Sequence, residues 1–449
     1  MIPVYSEEIQ RLLDSHGIKI GDLVRLKIGD AELDGELMPK ANIGSSGTII
    51  IKMADGYNIG MKLVKELEIK KLSGGVANIA SFPKISLKHD GSAPKVGLIY
   101  TGGTIGSRVD YETGGVSMLL KPEELLYKVP EIQGIANISV DMLMSVASED
   151  LSYHEWGRIA ESVAKAFNNS SRGAIITIGT DAMHYTAAAL SFMLQGLNGP
   201  VVLTGAQRSS DRGSSDGFIN LICATQLASK SDIAEVGICM HNESSDGKCA
   251  YIRGVKARKM HTSRRDAFRA INDKPMAYVS IVGDIKYHGD YRKIDAQKSG
   301  NVSVMPNFDP RVAIVKIYPN SNPKVIDFYV NEGYRGIILE GTGLGHAPVS
   351  TNHQEFLWLP HIKYAIDNGL IVGMTSQCLY GRVHPNVYKN LRLLSNIGVI
   401  YCEDMMAEVA QIKLGWLLGN YKRDEAMAML NKNLVGEIQS RLEFDEFLV

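Results

Sequence analysis

The sequence has few cysteines, and their spacing argues against two common uses of that residue. The 449 residues include only five, Cys223, Cys239, Cys249, Cys378 and Cys402. They are odd in number, lie far apart and form no Cys-x-x-Cys pair, so we expect neither a disulfide framework nor a zinc site. Reduced thiols in a cytoplasmic protein fit this pattern better.

The sequence also lacks a charge excess and a long apolar run. Lys and Arg number 48 against 49 for Asp and Glu, so nucleic acid is not indicated as the main ligand, although a local patch could contact RNA phosphates. No run approaches the roughly 20 apolar residues that span a bilayer. The first residues, MIPVYSEEIQ, contain no secretory signal, and we expect a cytoplasmic location. The length and ordinary composition predict about three globular domains.

Residues 1–75 have the pattern of a small β-barrel domain. Short β-type runs are separated by turn dipeptides at this spacing, which is typical of a small all-β fold. The runs are Asp22–Ile28, Glu36–Met38, Gly47–Lys52 and Tyr57–Met61, and the turns are Gly29-Asp30, Asp34-Gly35 and Asp55-Gly56. Residues 76–94 are rich in small and turn residues and are interpreted as a linker.

From residue 95 onward, strands and helices alternate. We predict one α/β domain at 95–290, a connection at 291–310 and a second α/β domain at 311–449. Ser152 and Glu155 have the spacing of a capping box at the start of a helix. Apolar strands that alternate with helices indicate parallel sheets covered on both faces. The predicted strands are 95–100, 173–178, 201–204, 236–240, 311–317, 336–340 and 370–373, and the predicted helices are 152–168, 182–195, 216–229, 323–332, 353–368 and a pair from about 406.

Polar residues follow three of the predicted strands. They are Thr101–Ile105, Gly179–Asp181 and Thr204–Ser209, and a basic loop follows at Arg253–Lys259. Ligands of open parallel sheets bind beyond the carboxyl ends of the strands, so these segments are the candidate site.

Each segment has a simpler explanation when taken alone. The TGGTI segment can be a tight turn, and Thr180-Asp181 can be a helix N-cap. Lys259 in a basic run is usually solvated, and Ser148 can cap a loop. Gly341–Gly345 resembles a dinucleotide loop but lacks the later acidic residue that would bind a ribose.

Taken together, the segments contain the groups that amide cleavage requires. That reaction needs a nucleophile, a base to deprotonate it and donors for the oxyanion. A threonine hydroxyl attacks only when a base removes its proton, and lysine can do so when burial or a cation lowers its pKa. Backbone N–H groups at glycine turns and helix starts can bind the oxyanion.

The order and spacing of these motifs resemble the bacterial-type L-asparaginase/glutaminase family. The motifs are Thr101–Ile105, Gly179–Met183, Thr204–Asn220, Lys259 before Asp266-Ala-Phe268, and Cys402–Leu414. The resemblance covers about residues 95–430. It implies a two-domain α/β asparaginase fold with the site at the edge of the larger domain.

The resemblance also implies a role for individual residues. Thr104 is the implied primary nucleophile, and Thr180, Asp181 and Lys259 are the implied proton-handling group. Ser148 and Glu149 are implied to hold the α-amino and α-carboxylate groups of the substrate, and Asp181 is implied to face the α-amino group as well. A backbone amide near Ala206 is implied to lie close to the scissile amide. Tyr111 is the tyrosine nearest to Gly114–Ser117, where the family places a tyrosine of its mobile loop, and is the implied further substrate contact.

Three further segments resemble the family of D subunits of archaeal glutamyl-tRNA(Gln) amidotransferases. They are Met38-Pro39, Gly56–Gly60 and Met374–Val383. This implies hydrolysis of glutamine to glutamate and ammonia. It also implies a partner, the E subunit, that uses the ammonia with ATP and Mg²⁺ to convert mischarged Glu-tRNA(Gln). The implied assembly is a heterotetramer with two copies of each subunit around a homodimer core, and no cofactor or metal is expected on this chain.

Two other functions stay open at this point. One is a stand-alone cytosolic L-asparaginase with an accessory N-terminal domain. The other is a non-catalytic scaffold, which is disfavoured because Thr104, Thr180, Asp181 and Lys259 are all present. The N-terminal domain separates the first two hypotheses, since a free enzyme has no evident use for it.

Overall fold

The structure is a computed structural model of the chain. It describes residues 5–29, 31–38, 47–54, 58–73, 92–103, 105, 107–109, 116–118, 129–209, 214–297 and 301–444.

The N-terminal unit is an antiparallel sheet with one helix. Its elements are α1 (Glu7–Ser15), β1 (Leu23–Ile28), β2 (Ala31–Leu37), β3 (Thr48–Lys52), β4 (Asn58–Lys62) and β5 (Glu68–Ser73). The strand order is β4-β3-β2-β1-β5. The sequence interpretation missed α1 and β5, although Ser6 caps α1 through its hydroxyl and the first turn is acidic. Within the described residues the sheet is open at β4 and β5, so a closed barrel stays a prediction.

This unit has its own apolar core. Ile9 and Leu13 of α1 pack on inward-facing residues of the sheet, among them Val24 and Leu26 of β1. The Tyr5 hydroxyl donates to the Met38 carbonyl and accepts from the Ile50 N–H, which joins the chain start to β3.

The middle unit contains the largest sheet. Its elements are β6 (Lys95–Tyr100), β7 (Ser107–Val109), β8 (Val116–Met118), β9 (Asn137–Met142), α2 (Tyr153–Asn168), β10 (Gly173–Thr177), α3 (Met183–Met193), β11 (Leu194–Gln195), β12 (Val201–Thr204), α4 (Gly217–Lys230), β13 (Val236–His241), β14 (Cys249–Arg253), β15 (Ala257–Lys259), β16 (Phe268–Ala270), β17 (Ala277–Val279), β18 (Ile285–Tyr287) and β19 (Ser303–Val304).

The large sheet is mixed, with the strand order β18-β17-β14-β13-β12-β10-β6-β9. Strands β6, β10, β12 and β13 are parallel, as predicted. The sequence interpretation missed β9, which is also parallel, and the antiparallel strands β14, β17 and β18. The chain runs from β6 to β9 on one side and then returns to β10 on the other. The β6–β10 junction is therefore the topological switch point, where ligands of such sheets bind.

Helices cover both faces of the parallel half, as the apolar strands predicted. Helices α2 and α3 pack on one face and α4 on the other. The predicted capping box is present, since Ser152 and Glu155 satisfy each other's backbone N–H groups at the start of α2.

The C-terminal unit is a smaller parallel sheet with helices. Its elements are β20 (Val312–Lys316), α5 (Val325–Asn331), β21 (Gly336–Gly341), α6 (Leu359–Asp367), β22 (Ile371–Ser376), α7 (Lys389–Asn396), β23 (Ile400–Tyr401), α8 (Ala407–Asn420) and α9 (Arg423–Met429). The strand order is β20-β21-β22-β23, all parallel. The sequence interpretation missed α7 and β23. The helix predicted at 353–368 is a short 3₁₀ turn followed by α6.

The middle and C-terminal units share an apolar core through α8. Residues of α8 such as Leu414 pack in one cluster with Leu190 of α3 and Ile338 of β21. The fully buried Lys413 Nζ lies 2.6 Å from Glu437, so α8 is also fixed to the residues that follow α9. This interface between the two units, called the seam below, places the start of α8 close to the middle unit.

In the part of the chain that the structure describes, every helix is too short or too polar to cross a membrane.

Candidate active site

Three strand-end segments of the middle unit meet at the switch point. Gly103 follows β6 with φ +87°, and a Cβ there would lie 2.4 Å from the Gly179 nitrogen beyond β10. A Cβ on Gly205, beyond β12, would lie 2.5 Å from the Ile178 carbonyl oxygen. Such distances are too short for any side chain, so glycine is required where the backbones approach each other. The glycines of the TGGTI turn therefore allow the loops to pack together.

Thr180, Asp181 and Lys259 form a hydrogen-bonded group in this region. The Lys259 Nζ lies 2.9 Å from the Thr180 hydroxyl and 2.7 Å from an Asp181 carboxylate oxygen. The Thr180 residue is buried and the Lys259 side chain is only 9% exposed, whereas the Asp181 side chain is 69% exposed. The structure thus brings together three residues that are as many as 79 positions apart in the sequence.

Lys259 lies on a strand, not on the solvated basic loop that the sequence suggested. It is the last residue of β15 and pairs with Phe268 of β16 in a two-stranded hairpin. Its neighbour Lys256 is also buried and binds Asp404 of the C-terminal unit. The interpretation of Lys259 as a solvated side chain is therefore wrong.

Ser148 lies beside the same group. Its hydroxyl is buried, accepts the Ala182 N–H at 3.2 Å and donates weakly to Glu149 at 3.4 Å. Glu149 is exposed. The N-cap of α3 is Ala182, without a side-chain cap bond, so the Thr180-Asp181 pair does not serve as that cap. This leaves both side chains free for the contact with Lys259.

The loop after β12 is held by a buried polar pair. The Asp216 carboxylate accepts the N–H groups of Gln207 and Arg208, and Asn220 donates to the Gly205 carbonyl and to Asp216. Ala206 is buried in this loop. The sequence analysis included this stretch in the Thr204–Asn220 motif but did not assign this role to Asp216.

Two predicted site residues, Thr104 and Tyr111, lie outside the described residues. Their positions therefore stay predictions. The flanking residues of Thr104 are described: Gly103 packs against Gly179, and the side chain of Ile105 packs near Gly217 at the start of α4.

His184 is a neighbour of the site that the sequence did not indicate. It is 8% exposed in the first turn of α3, and burial lowers its pKa from 6.5 to about 4, with smaller contributions from Arg258 and Lys259. The ring is therefore neutral at pH 7. A single histidine in an apolar helix carries no sequence signal that separates this position from an ordinary core site.

The geometry suits proton transfer between a hydroxyl and an amine. Lysine can accept the Thr180 proton only as the neutral amine, and the Asp181 carboxylate would stabilise the ammonium that forms.

The glycine cluster of the C-terminal unit has a structural explanation. Thr342 and His346 exchange backbone hydrogen bonds of 3.0 and 2.9 Å, which closes a tight turn. Gly343 and Gly345 take the positive φ angles that the turn needs.

Three family models match successive parts of the chain. They are the GatD N-terminal domain at residues 18–72, the asparaginase N-terminal domain at 95–292 and the glutaminase/asparaginase C-terminal domain at 311–430. The D subunit of the glutamyl-tRNA(Gln) amidotransferase of Pyrococcus furiosus is 47% identical, and the match covers 98% of this chain and 100% of the relative.

The chain belongs to the D-subunit family of glutamyl-tRNA(Gln) amidotransferases. Other D-subunit relatives support this. The protein from Thermococcus kodakarensis is 46% identical, with 98% of this chain and 99% of the relative covered. The protein from Methanopyrus kandleri is 43% identical, with 97% and 95% covered.

Solved asparaginases share the fold of this member of the D-subunit family. The L-asparaginase from Thermococcus kodakarensis has a TM-score of 0.67 and 28% identity, covering 77% of this chain and 100% of its own. L-asparaginase I from Vibrio cholerae has a TM-score of 0.67 and 29% identity, covering 78% and 100%. The asparaginase-like fold that the motifs predicted is confirmed.

Proposed function

We propose that this chain is the glutaminase component of a Glu-tRNA(Gln) amidotransferase. The observation that carries the proposal is the hydrogen-bonded group of Lys259, Thr180 and Asp181 at the switch point of an asparaginase fold. The membership of the D-subunit family supports glutamine as the ammonia source. The GatD N-terminal domain match at residues 18–72 favours this function over that of a stand-alone asparaginase.

The proposed chemistry begins with attack by the Thr104 hydroxyl oxygen on the side-chain amide carbon of glutamine. The hydroxyl proton passes through the proton-handling group to the amide nitrogen, which leaves as ammonia. The glutamyl ester on Thr104 is then hydrolysed by water, which releases glutamate and restores the hydroxyl. In this scheme Thr180 and Lys259 transfer the protons and Asp181 stabilises the lysine charge.

The substrate contacts are also part of the proposal. Ser148, Glu149 and Asp181 bind the α-amino and α-carboxylate groups, and a backbone amide near Ala206 lies close to the scissile amide. Tyr111, which lies outside the described residues, is proposed as a further substrate contact. The support is geometric for Ser148, whose buried hydroxyl lies one hydrogen bond from the residue after Asp181.

The proposed assembly is a cytoplasmic heterotetramer with two copies each of this chain and of the E subunit, built on a homodimer core. The partner binds the mischarged Glu-tRNA(Gln), ATP and Mg²⁺ and uses the ammonia. We propose the domain division 1–75, 95–290 and 311–449, with a linker at 76–94 and a connection at 291–310. In the connection, β19 pairs with β11 of the middle unit, so part of it is ordered.

The test compares ammonia release from glutamine and from asparagine by the reconstituted complex. We expect glutamine to be preferred and Lys259→Met to abolish release, because the base is lost while a side chain of similar length remains. Lys363→Met removes an exposed lysine paired with Asp367 and serves as the control that keeps full activity. Undiminished release by Lys259→Met would overturn the assignment of the site.

The stand-alone L-asparaginase is the second candidate, because the structural neighbours are asparaginases. A preference for asparagine, with no response to the partner, would favour it.

A further inference from the structure

The strand that carries Lys259 is anchored from the C-terminal unit. Within the described residues, the three-residue strand β15 pairs only with β16, so a short hairpin alone would hold the lysine. Two neighbouring basic side chains extend across the seam instead. Lys256 Nζ lies 2.6 Å from Asp404, and Arg258 binds Glu408 in the first turn of α8.

Arg258 and Lys259 are adjacent in β15 and therefore have different contacts. Successive side chains point to opposite faces, so Arg258 points away from the face that presents Lys259. One face of β15 is therefore fixed to the C-terminal unit while the other supplies the amine to Thr180 and Asp181.

The other strand of the hairpin, β16, is followed by a residue that is anchored to the same unit. The Asn272 side chain donates to the carbonyls of Gly381 and Asp404, at 3.0 and 3.1 Å, and accepts the Gly381 N–H at 2.9 Å. Asp404 in turn accepts the Gln439 N–H. The hairpin thus has a rigid base, and Arg258 is the anchor nearest to Lys259.

The two ion pairs differ in burial, so we expect the loss of one to affect mainly stability and the loss of the other to affect mainly activity. The Lys256 and Asp404 side chains are 2% and 0% exposed, so the loss of either partner leaves a buried charge and damages the fold. The Arg258 side chain is 34% exposed and Glu408 is 5% exposed. Because the Arg258 side chain reaches solvent, its loss should cost less stability than the loss of Lys256, and we expect the displacement of β15 to be its main effect.

We propose that Arg258 and Glu408 are a positioning pair, which holds Lys259 within reach of Thr180 and Asp181 and makes the glutaminase site depend on the C-terminal unit. This rests on the proposed function. The distances of 2.9 and 2.7 Å from Lys259 leave little tolerance, because displacement by about 1 Å can cost a hundredfold in rate. A contact that moves the start of α8 would therefore also move Lys259, the proposed base.

The test uses Arg258→Gln and Glu408→Gln in the full chain assembled with its amidotransferase partner. We expect kcat for ammonia release from glutamine to fall about tenfold or more, with KM changed less than about twofold. The Arg258→Lys variant keeps the charge and should recover part of the rate. The exchanged pair, Arg258→Glu with Glu408→Arg, should exceed both single charge reversals in kcat.

Arg335→Gln is the control, chosen for its similar side-chain exposure. Arg335 pairs with Asp309 at 2.9 Å, with side-chain exposures of 37% and 6%, close to those of the Arg258 pair. It contacts the Leu418 carbonyl near the opposite end of α8, about 15 Å from Glu408 along the helix. Asp309 also binds Arg311 at 2.8 Å, so we expect a smaller shift in the thermal midpoint for Arg335→Gln than for Arg258→Gln, and a fall in kcat only for the latter.

Equal kcat values for Arg258→Gln and Arg335→Gln would overturn the positioning role. If Lys259→Met abolishes release while Arg258→Gln does not alter it, only this inference fails. If Lys259→Met is itself fully active, the proposed function fails first.

Discussion

The Thr180 hydroxyl contributes to the site through its contact with Lys259, and an isosteric substitution can remove it alone. Thr180→Val should lower ammonia release about a hundredfold or more, because the proton path is interrupted while the shape is kept. The rate at saturating glutamine is the quantity to measure.

Thr186→Val is the control for that substitution, since Thr186 is also buried in the same part of the chain and accepts a hydrogen bond from the Trp156 ring at 3.1 Å. Its loss should cost about 1 kcal/mol of stability and leave the rate unchanged. A Thr180→Val enzyme as active as Thr186→Val would contradict the proton role.

His184 should make the stability of the protein sensitive to acid. Burial lowers its pKa from 6.5 to about 4, so between these pH values the unfolded chain binds a proton that the folded chain excludes. Above pH 6.5, His184 therefore does not reduce the free energy of unfolding. As the pH falls towards 4, its titration lowers that free energy by up to about 3 kcal/mol.

Urea unfolding of the wild type and of His184→Gln at pH 7 and pH 4.5 measures this effect. The wild type should lose more stability than the variant over that interval. Equal losses would show that His184 does not titrate in this window.

The sequence analysis proposed Lys259 as a site residue but did not predict its surroundings. Lys256 and Lys259 stand in one short basic run, and nothing local distinguishes a buried structural lysine from a site lysine. The two lysines differ in the residues that they bind, and these are distant in the sequence: Asp404, the partner of Lys256, lies 148 positions away. The family resemblance supplied the assignment that composition and spacing could not.

Among the elements, the glycine turn after β6 is the most constrained. Gly103 combines φ +87° with a distance of 2.4 Å from a would-be Cβ to the Gly179 nitrogen. Gly103→Ala must therefore push the turn away from β10. We expect glutamine hydrolysis to fall at least about tenfold, since the strand-end loops no longer pack in register.

Gly333→Ala separates that steric effect from backbone strain. Gly333 has φ +73°, and a Cβ there meets nothing within 4 Å. The Gly333→Ala substitution should lower the stability by about 1–2 kcal/mol and leave the activity intact. Equal activity of the two variants, measured at the same temperature, would contradict the packing requirement at Gly103.

The elements differ in how far local sequence determines them. The capping box at Ser152 and the apolar strands around residues 95–100 and 173–177 carry strong local signals, and they were predicted. Strands β14 to β18 have only three to five residues, which is too short for a clear periodic pattern. In addition, β14 pairs with β17 across the intervening β15–β16 hairpin, and no local pattern reveals that pairing.

At the scale of the whole molecule, the N-terminal unit should serve assembly more than stability. It has a separate apolar core, and no residue of that core belongs to the clusters of the two α/β units within the described part of the chain. Deletion of residues 1–75 should therefore leave the thermal midpoint of the remainder nearly unchanged while weakening its association with the partner subunit.

Gel filtration of the truncated and full-length chains, each mixed with the partner, checks this expectation. A truncated chain that assembles as well as the full chain would show that the unit has another purpose.

The most direct measurement is ammonia release from glutamine by the chain alone and after addition of the partner subunit, mischarged Glu-tRNA(Gln), ATP and Mg²⁺. A glutaminase that supplies ammonia to a tRNA-dependent amidotransferase should be stimulated strongly by the complete mixture. High activity of the chain alone, with asparagine preferred and no response to the added components, would contradict that function and indicate a free asparaginase.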